Sequence, residues 1–513
     1  MNLNISDEFQ KLDQVDWLRF SKESLKLNSS EELEKLLNFK SIENINISAV
    51  NFDQDISHNL TSFPENILLA RFTAKLSQAD QLGGVNFAIS EESNPEGITL
   101  IRSIHTKIEV DEINLDIFSI YLELNADKKK LLEFISSIKA KIYPYINTSI
   151  IHNAGGSILH EVAMMLNLIE FTRDFCHLKN PLFIEVSIDS LFFTSISKLR
   201  AIRYFLEMIN EDIEKIDFEI IAKNSYREQT RLDPWMNMLR NTASCAAGII
   251  GGANTMAISS YDDLLESEPS SLGLRQSRNI FHILMSESFL NKVQDASYGS
   301  YAIEKLTKEI ITHSLDLFNH FEKDGGMLNH LDQIDIMVDE LFQKRVERVN
   351  HMKHQLVGVN NFANTDEFMK EQIKETNSWN ILKPKRLSSH YEALRSSIMD
   401  KNLDLLIVTY GEDSKLTARL MFCANYFEVL GHKIESMKIE TEADLKKIKH
   451  KNILLCAEDT AYIDLLKFDF SKFSNLFLAG NKIKDDRFQN IYSGQNQFQV
   501  LSKFTEENHF ENL

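Results

Sequence analysis

A Cys-x-x-Cys pair is absent from this chain: its four cysteines, Cys176, Cys245, Cys423 and Cys456, lie far apart in sequence. That argues against a disulfide framework and a zinc site, and points to a reducing, cytoplasmic compartment. Basic tracts are missing too. Against 75 acidic residues stand 56 basic ones, for a net charge of −19, which disfavours nucleic acid as a partner because phosphate binding needs cations that displace counterions. No apolar run approaches the ~20 residues of a membrane span. The opening MNLNISDEFQ has neither the basic nor the apolar region of a secretory signal, so no membrane partner is expected.

Catalytic signatures are equally scarce. There is no G-x-G-x-x-G and no G-x-x-x-x-G-K-[ST], which leaves dinucleotide and P-loop nucleotide binding without support. No G-x-S-x-G elbow exposes a serine. His160-Glu161 begins like a zinc-protease helix, but the second ligand position holds Met164, so an ordinary helix face is expected there.

What is present is a soluble-type composition, 43% apolar over 513 residues, too long for one ordinary core and suited to two domains. Between about residues 115 and 287, apolar strands alternate with amphipathic helices in the manner of βα units on a parallel sheet. Strands are expected at 116–124, 149–153, 182–188, 218–222 and 255–259, with helices between them. Asp233 is expected to cap the helix that follows Pro234, and Gly251-Gly252 to end it. Residues 306–356 read as helical. A second βα series starts near Leu403 and suits a small flavodoxin-like domain. For the first series, an open doubly wound sheet and a closed (β/α)₈ barrel both remain open on pattern alone.

Six segments carry a family resemblance. FFTSISKLRAIR (192–203), DPWMNMLRNT (233–242), Gly251-Gly252 with SYD (260–262), SRN (277–279), DASYGSYAIEKLT (295–307) and PKRLSSHYEALR (384–395) resemble methylmalonyl-CoA mutase and follow the family's order. The resemblance covers roughly residues 110 to 435. It implies an α/β fold, a (β/α)₈ TIM barrel followed by a flavodoxin-like, degenerate cobalamin-binding doubly wound domain. The expected division is an N-terminal extension at 1–55 that contacts another subunit, a barrel at 56–356, a linker at 357–400 and the second domain at 401–513. Around Trp17 to Leu37 the extension is expected to wrap the partner.

The resemblance also implies where this chain departs from catalytic members. Those carry Asp-x-His-x-x-Gly in the second domain, the histidine ligating cobalt and the aspartate orienting it. Aligned on Val429-Leu430-Gly431, that motif falls on Ser414, Leu416 and Arg419, so ligand, orienter and glycine are all replaced. Asp413 is one position away and is expected at a turn or helix cap; His432 follows Gly431 at a strand start, away from the cobalt loop. The glycine-rich segments that wrap the cofactor's nucleotide tail are not recognisable beyond Leu478-Ala-Gly-Asn481. In the barrel, the histidine that bonds the substrate thioester corresponds to Ile221, which has no donor. The arginine and aromatic run that contacts CoA is not found around residues 63–66.

Lys198, Arg200 and Arg203 are therefore expected to make helix-to-loop salt bridges, and Arg240, Asp262 and Arg278 to hold βα loops together. Tyr298 and Tyr301 are expected to pack at the Gly299 turn, and His152 to lie at a strand end. By resemblance, the chain is expected to be a small, non-catalytic subunit whose large partner binds acyl-CoA and adenosylcobalamin, with no cofactor or metal on this chain. The alternatives are an active acyl-CoA mutase with a displaced cobalt ligand, or a non-enzymatic scaffold.

Overall fold

The computed structural model describes residues 14–507 except 28, 30, 34–37, 44, 49–59, 61–62, 74–75, 91–97, 107–109, 174–181, 213–215, 266–267, 368–378, 400 and 402. Two short antiparallel strands come first, β1 (Asn38–Lys40) and β2 (Asn46–Ser48). Ile45 between them is buried in the main core. The segment is tied down by Arg345 to Glu43 at 2.7 Å and by the Asn46 amide to Glu309 at 2.8 Å. Part of the expected partner-wrapping stretch from Trp17 to Leu37, including residues 34–37, lies outside the described residues.

Eight parallel strands then close into a barrel: β3 (Leu68–Phe72), β4 (Phe87–Ser90), β5 (Ile98–Ile101), β6 (Glu112–Asp116), β7 (Lys141–Asn147), β8 (Leu182–Ile188), β9 (Phe218–Asn224) and β10 (Thr255–Ala257). Closure is made by β10 on β3, with Thr255 opposite Leu68. The (β/α)₈ barrel is therefore the arrangement adopted, and the open sheet is not. Strands buried on both faces are rich in apolar residues, as β8 (LFIEVSI) and the centre of β9 (FEIIAKN) are, although each strand also carries charge.

Two expected strands are helices. Residues expected as strand at 116–124 form the helix Ile117–Glu123, and those at 149–153 fall within the helix Ser149–Ala154. The strands that precede them, β6 and β7, end at Asp116 and Asn147. Six of the seven residues in Ile117–Glu123 are buried, so neither helix nor strand periodicity marks the segment.

The outer helices include Ile158–Arg173, Phe192–Asp212, Trp235–Ile250, Ser271–His282, Tyr301–Glu322 and Leu331–Asn350. Asp233 does not cap Trp235–Ile250. Pro234 occupies the cap position without a side-chain bond, while Asp233 adopts a left-handed conformation at φ 44° and its amide donates to Glu367.

A second sheet follows, all parallel, in the order β12-β11-β13-β14-β15: β11 (Leu405–Tyr410), β12 (Glu435–Lys438), β13 (Asn452–Ala457), β14 (Asn475–Ala479) and β15 (Gln489–Ile491). This is the flavodoxin-like strand order, which reverses between β11 and β13. The segment leading into it is packed, with Tyr391 and Arg395 each 1% exposed. Lys385 and Leu387 donate backbone bonds to Asn153 and Arg227 at the barrel's C-terminal end. No helix among the described residues is long and apolar enough to cross a membrane.

Candidate functional site in the barrel and at the second sheet

In a (β/α)₈ barrel, chemistry gathers at the C-terminal ends of the strands and substrates enter along or across the axis. Here the axis is occupied by protein. Ala70, Ile89, Ile98, Leu100, Tyr145, Ile221 and Ala257 form a continuous inner core, and Phe72, Phe87 and Phe183 pack against it. Ile221 lies in the middle of β9 rather than at its end and is fully buried.

Above this plug sits a layer of charge. Arg102, just past β5, pairs with Glu185 of β8 and lies 3.4 Å from Asp116 at the end of β6. Glu185 also accepts from Tyr145 Oη at 2.8 Å and Ser149 Oγ at 3.0 Å. Burial opposes its ionisation, but Arg102, Lys223 and the hydrogen bonds from Tyr145 and Ser149 together hold its pKa below the ordinary range. Asp116 is shifted upward by burial, with Arg102 and hydrogen bonds offsetting only part. The Tyr145 hydroxyl is raised well above its ordinary value by burial and then by Glu185.

A third cluster lies beside the axis. His152 Nε2 is 2.8 Å from Ser225 Oγ, and its Nδ1 is 3.4 Å from Glu161 Oε2. Serine, histidine and carboxylate thus follow in the order of a hydrolase triad. Ser225, at 2% exposure, offers no reachable nucleophile, and His152 and Glu161 are as deeply buried. Burial, Arg227 and Lys198 push the His152 pKa well down. His152 therefore lies on a helix after β7, not at a strand end. Glu161 is no ordinary surface face either: it accepts from Lys198 Nζ at 2.7 Å and from the Ser187 amide at 3.0 Å.

The motif residues are joined into the scaffold. Lys198 bridges one helix to another through Glu161 and also reaches the Ser187 carbonyl, where a helix-to-loop contact was expected. Arg200 pairs with Asp295 and, at 2.8 Å, with Glu304. Arg203 donates to the Gly252 carbonyl at 2.7 Å and to Asn254 at 2.6 Å, holding the turn before β10. Arg240 donates to Thr230, Asn237 and the Val357 carbonyl. Asp262 accepts from Ser260 and the Ser270 amide. Arg278 pairs with Asp80 at 2.7 Å. Tyr298 and Tyr301, on either side of Gly299, are 48% and 40% exposed.

Comparison with known proteins was decisive for the family. The family profile for methylmalonyl-CoA mutase matches residues 129–407, more than half of the chain. This chain belongs to the methylmalonyl-CoA mutase family. It is 27% identical over 293 residues to the methylmalonyl-CoA mutase small subunit of Streptomyces virginiae, covering 53% of this chain and 47% of that protein. Similarity to the small subunit of Porphyromonas gingivalis is 27% over 326 residues, 57% of this chain and 50% of that one. With the mitochondrial methylmalonyl-CoA mutase of Bos taurus it is 28% identical over 179 residues, 33% and 24% of the two chains. The matches span about half or less of these relatives' length.

Within the mutase family, the second sheet is where a corrinoid is expected, at the crevice between β11 and β13. The residues there do not fit cobalt ligation. Leu416, 2% exposed, points into the domain core from the helix Asp413–Glu428 and has no lone pair to offer. Ser414 bonds Glu412 at 3.0 Å, and Arg419 crosses the crevice to the Ala457 carbonyl and Asp459. Asp413 opens the helix and pairs with Lys438 at 3.1 Å, while Glu412 holds the cap position. His432 bonds the Ile398 carbonyl at 3.2 Å, before β12 and therefore at the opposite end of the sheet. Among the described residues, no group of three or more His, Cys, Asp or Glu side chains could hold a metal ion.

Proposed function

We propose that this chain is the small, non-catalytic subunit of an adenosylcobalamin-dependent methylmalonyl-CoA mutase. A large catalytic subunit binds the acyl-CoA substrate and the cofactor, and the complex interconverts methylmalonyl-CoA and succinyl-CoA. The observation that carries this reading is the filled barrel axis. Phe87, Tyr145, Phe183 and Ile221 stand where the family resemblance implies that CoA is threaded, and a packed core has no room for a pantetheine arm. Leu416 in place of a cobalt ligand supports the same conclusion, as do the relatives that carry the name of small subunit.

On this reading, the charges above the plug, from Arg102 to Glu185, and the Lys198–Glu161–His152 cluster keep the scaffold rigid for assembly rather than acting on substrate. The test is co-expression of this chain with a large mutase subunit, with each purified alone as control. Isomerisation and corrinoid uptake are expected in the complex and in the large subunit's share of it. Turnover of an acyl thioester by this chain alone, or stoichiometric corrinoid binding to it, would overturn the proposal.

A further inference from the structure

A cavity of about 170 Å³ lies at the C-terminal mouth of the barrel beside β3, β9 and β10, ample for several waters or a small organic molecule. Leu69, Phe72 and Ile258 give it an apolar wall; Lys223, Asp263 and Ser260 give it a polar one. Lys223 is the penultimate residue of β9, at the strand end where the reactive groups of this fold collect.

The neighbouring cations are matched. Arg102 has Glu185 and Asp116, and Arg71 and Arg278 share Asp80. Lys223 is the exception, for among the described residues its ammonium makes no ion pair and no hydrogen bond, and its contact is the face of Phe72, 4.3 Å from the ring centre. A lysine desolvated in an apolar pocket near a second cation is the setting in which amines become nucleophiles. Burial lowers its pKa; Glu185 opposes this, Arg102 adds to it, and Asp263 also opposes it. Asp263 lines the same cavity, open to water yet walled by protein, and burial pushes its carboxyl up to about 6. A carboxyl tuned to that range transfers protons efficiently near neutrality. Since Asp80 already holds both arginines, the cavity presents one amine and one acid rather than an anion clamp.

We propose that Lys223 is a nucleophilic amine that captures a small aldehyde or ketone in this cavity as an imine, with Asp263 as the proton-transfer group. The neutral amine attacks the carbonyl carbon, a C–N bond forms, and the π pair moves to oxygen, which gains a proton as nitrogen loses one. The Asp263 acid then protonates the carbinolamine hydroxyl, the C–O bond breaks and water leaves. An iminium remains beside the Asp263 carboxylate, with no oxidant or reductant consumed. This assignment is independent of the subunit reading, since it concerns a cavity beside the plugged axis.

The experiment treats the full chain at pH 7 with acetaldehyde and cyanoborohydride, which fixes imines as ethylamines, and maps lysines by peptide mass spectrometry. Lys223 is expected to label at least about tenfold faster than surface lysines, because a desolvated amine is unprotonated more of the time near neutral pH. Asp263→Asn is expected to slow this labelling about tenfold or more, while acylation of Lys223 by a succinimidyl ester, which needs no dehydration step, is not slowed. Circular dichroism of Asp263→Asn and of Lys223→Arg confirms folding. Aldehyde labelling of Lys223 no faster than that of surface lysines overturns the proposal. Equal slowing of both reagents in Asp263→Asn overturns the assignment of Asp263 as the proton-transfer group.

Discussion

Arg419 donates to Asp459 at 2.9 Å across the crevice where the second sheet reverses its strand order. A guanidinium thus spans the place at which a flavodoxin-like sheet ordinarily accepts its ligand, and Lys482 joins the same carboxylate at 3.1 Å. Both members of the pair are about one-third exposed, so its contribution to stability is small. Arg419→Ala and Asp459→Ala are each expected to cost about 0–1 kcal/mol, read from urea unfolding midpoints.

Leu416 behaves oppositely. It is buried in the helix Asp413–Glu428, and Leu416→His places a polar ring in a buried aliphatic site. The expected cost is about 2–4 kcal/mol, from lost packing and the burial of a polar group. Corrinoid titration of this variant, followed by visible absorbance, is expected to show no uptake. A single imidazole restores neither the orienting carboxylate nor the space that Arg419 fills. Binding by Leu416→His would mean that the crevice is intact and only its ligand is missing.

The barrel plug is a packed core, and it is expected to respond as one. Ile221 is fully buried among Leu100, Tyr145 and Ala257. Ile221→Val is expected to cost about 1 kcal/mol and Ile221→Ala about 2–5 kcal/mol, the second leaving a void on the axis. Calorimetric unfolding checks both. A cost near zero for Ile221→Ala would mean that the axis is loosely filled and could admit a ligand.

Lys198 and Glu161 form a buried pair at 2.7 Å, both side chains 2% exposed or less. Removing one charge strands the other, so Lys198→Met and Glu161→Gln are each expected to cost about 3–5 kcal/mol. The double variant is expected to recover part of that loss, because neither charge is then left unpaired. Additive losses in the double-mutant cycle would show that the two groups act through other partners, such as Ser187 or His152.

These contrasts explain what could be read from the sequence. In the second sheet β12 (ESMK) is exposed throughout and β15 (QNI) is short and polar, whereas its central strands β11, β13 and β14, like the strand β8, announce themselves as largely apolar runs. Residues 117–123 do not, because a helix buried on nearly every side loses its amphipathic period. Lys198, Arg200 and Arg203 were visible as a motif, yet their partners Glu161, Asp295, Glu304 and Asn254 come from elements brought together only by barrel closure. Lys223 was passed over, since one lysine in a strand looks like an edge residue. The signal that could have found it is Lys223 together with Glu185, charges on neighbouring strands that are mostly apolar. Charge on a strand buried on both faces has to meet a partner, a ligand or water.

His160 supplies a pH dependence with a definite sign. Its Nδ1 is 2.5 Å from Ser157 Oγ, and its Nε2 is buried without a partner. Burial, with Arg345 adding to it, lowers its pKa from 6.5 to about 4. The folded protein therefore keeps the ring neutral while the unfolded chain takes up a proton below pH ~6.5, so stability is complete above that value and declines as pH falls toward ~4. A depression of that size corresponds to about 3 kcal/mol lost across the window. His160→Gln, which has no proton to take up, is expected to lose less stability over the same range. Urea unfolding of both proteins from pH 7 to pH 4 measures the difference, and parallel curves would show that His160 is already protonated in the folded chain or never buried there.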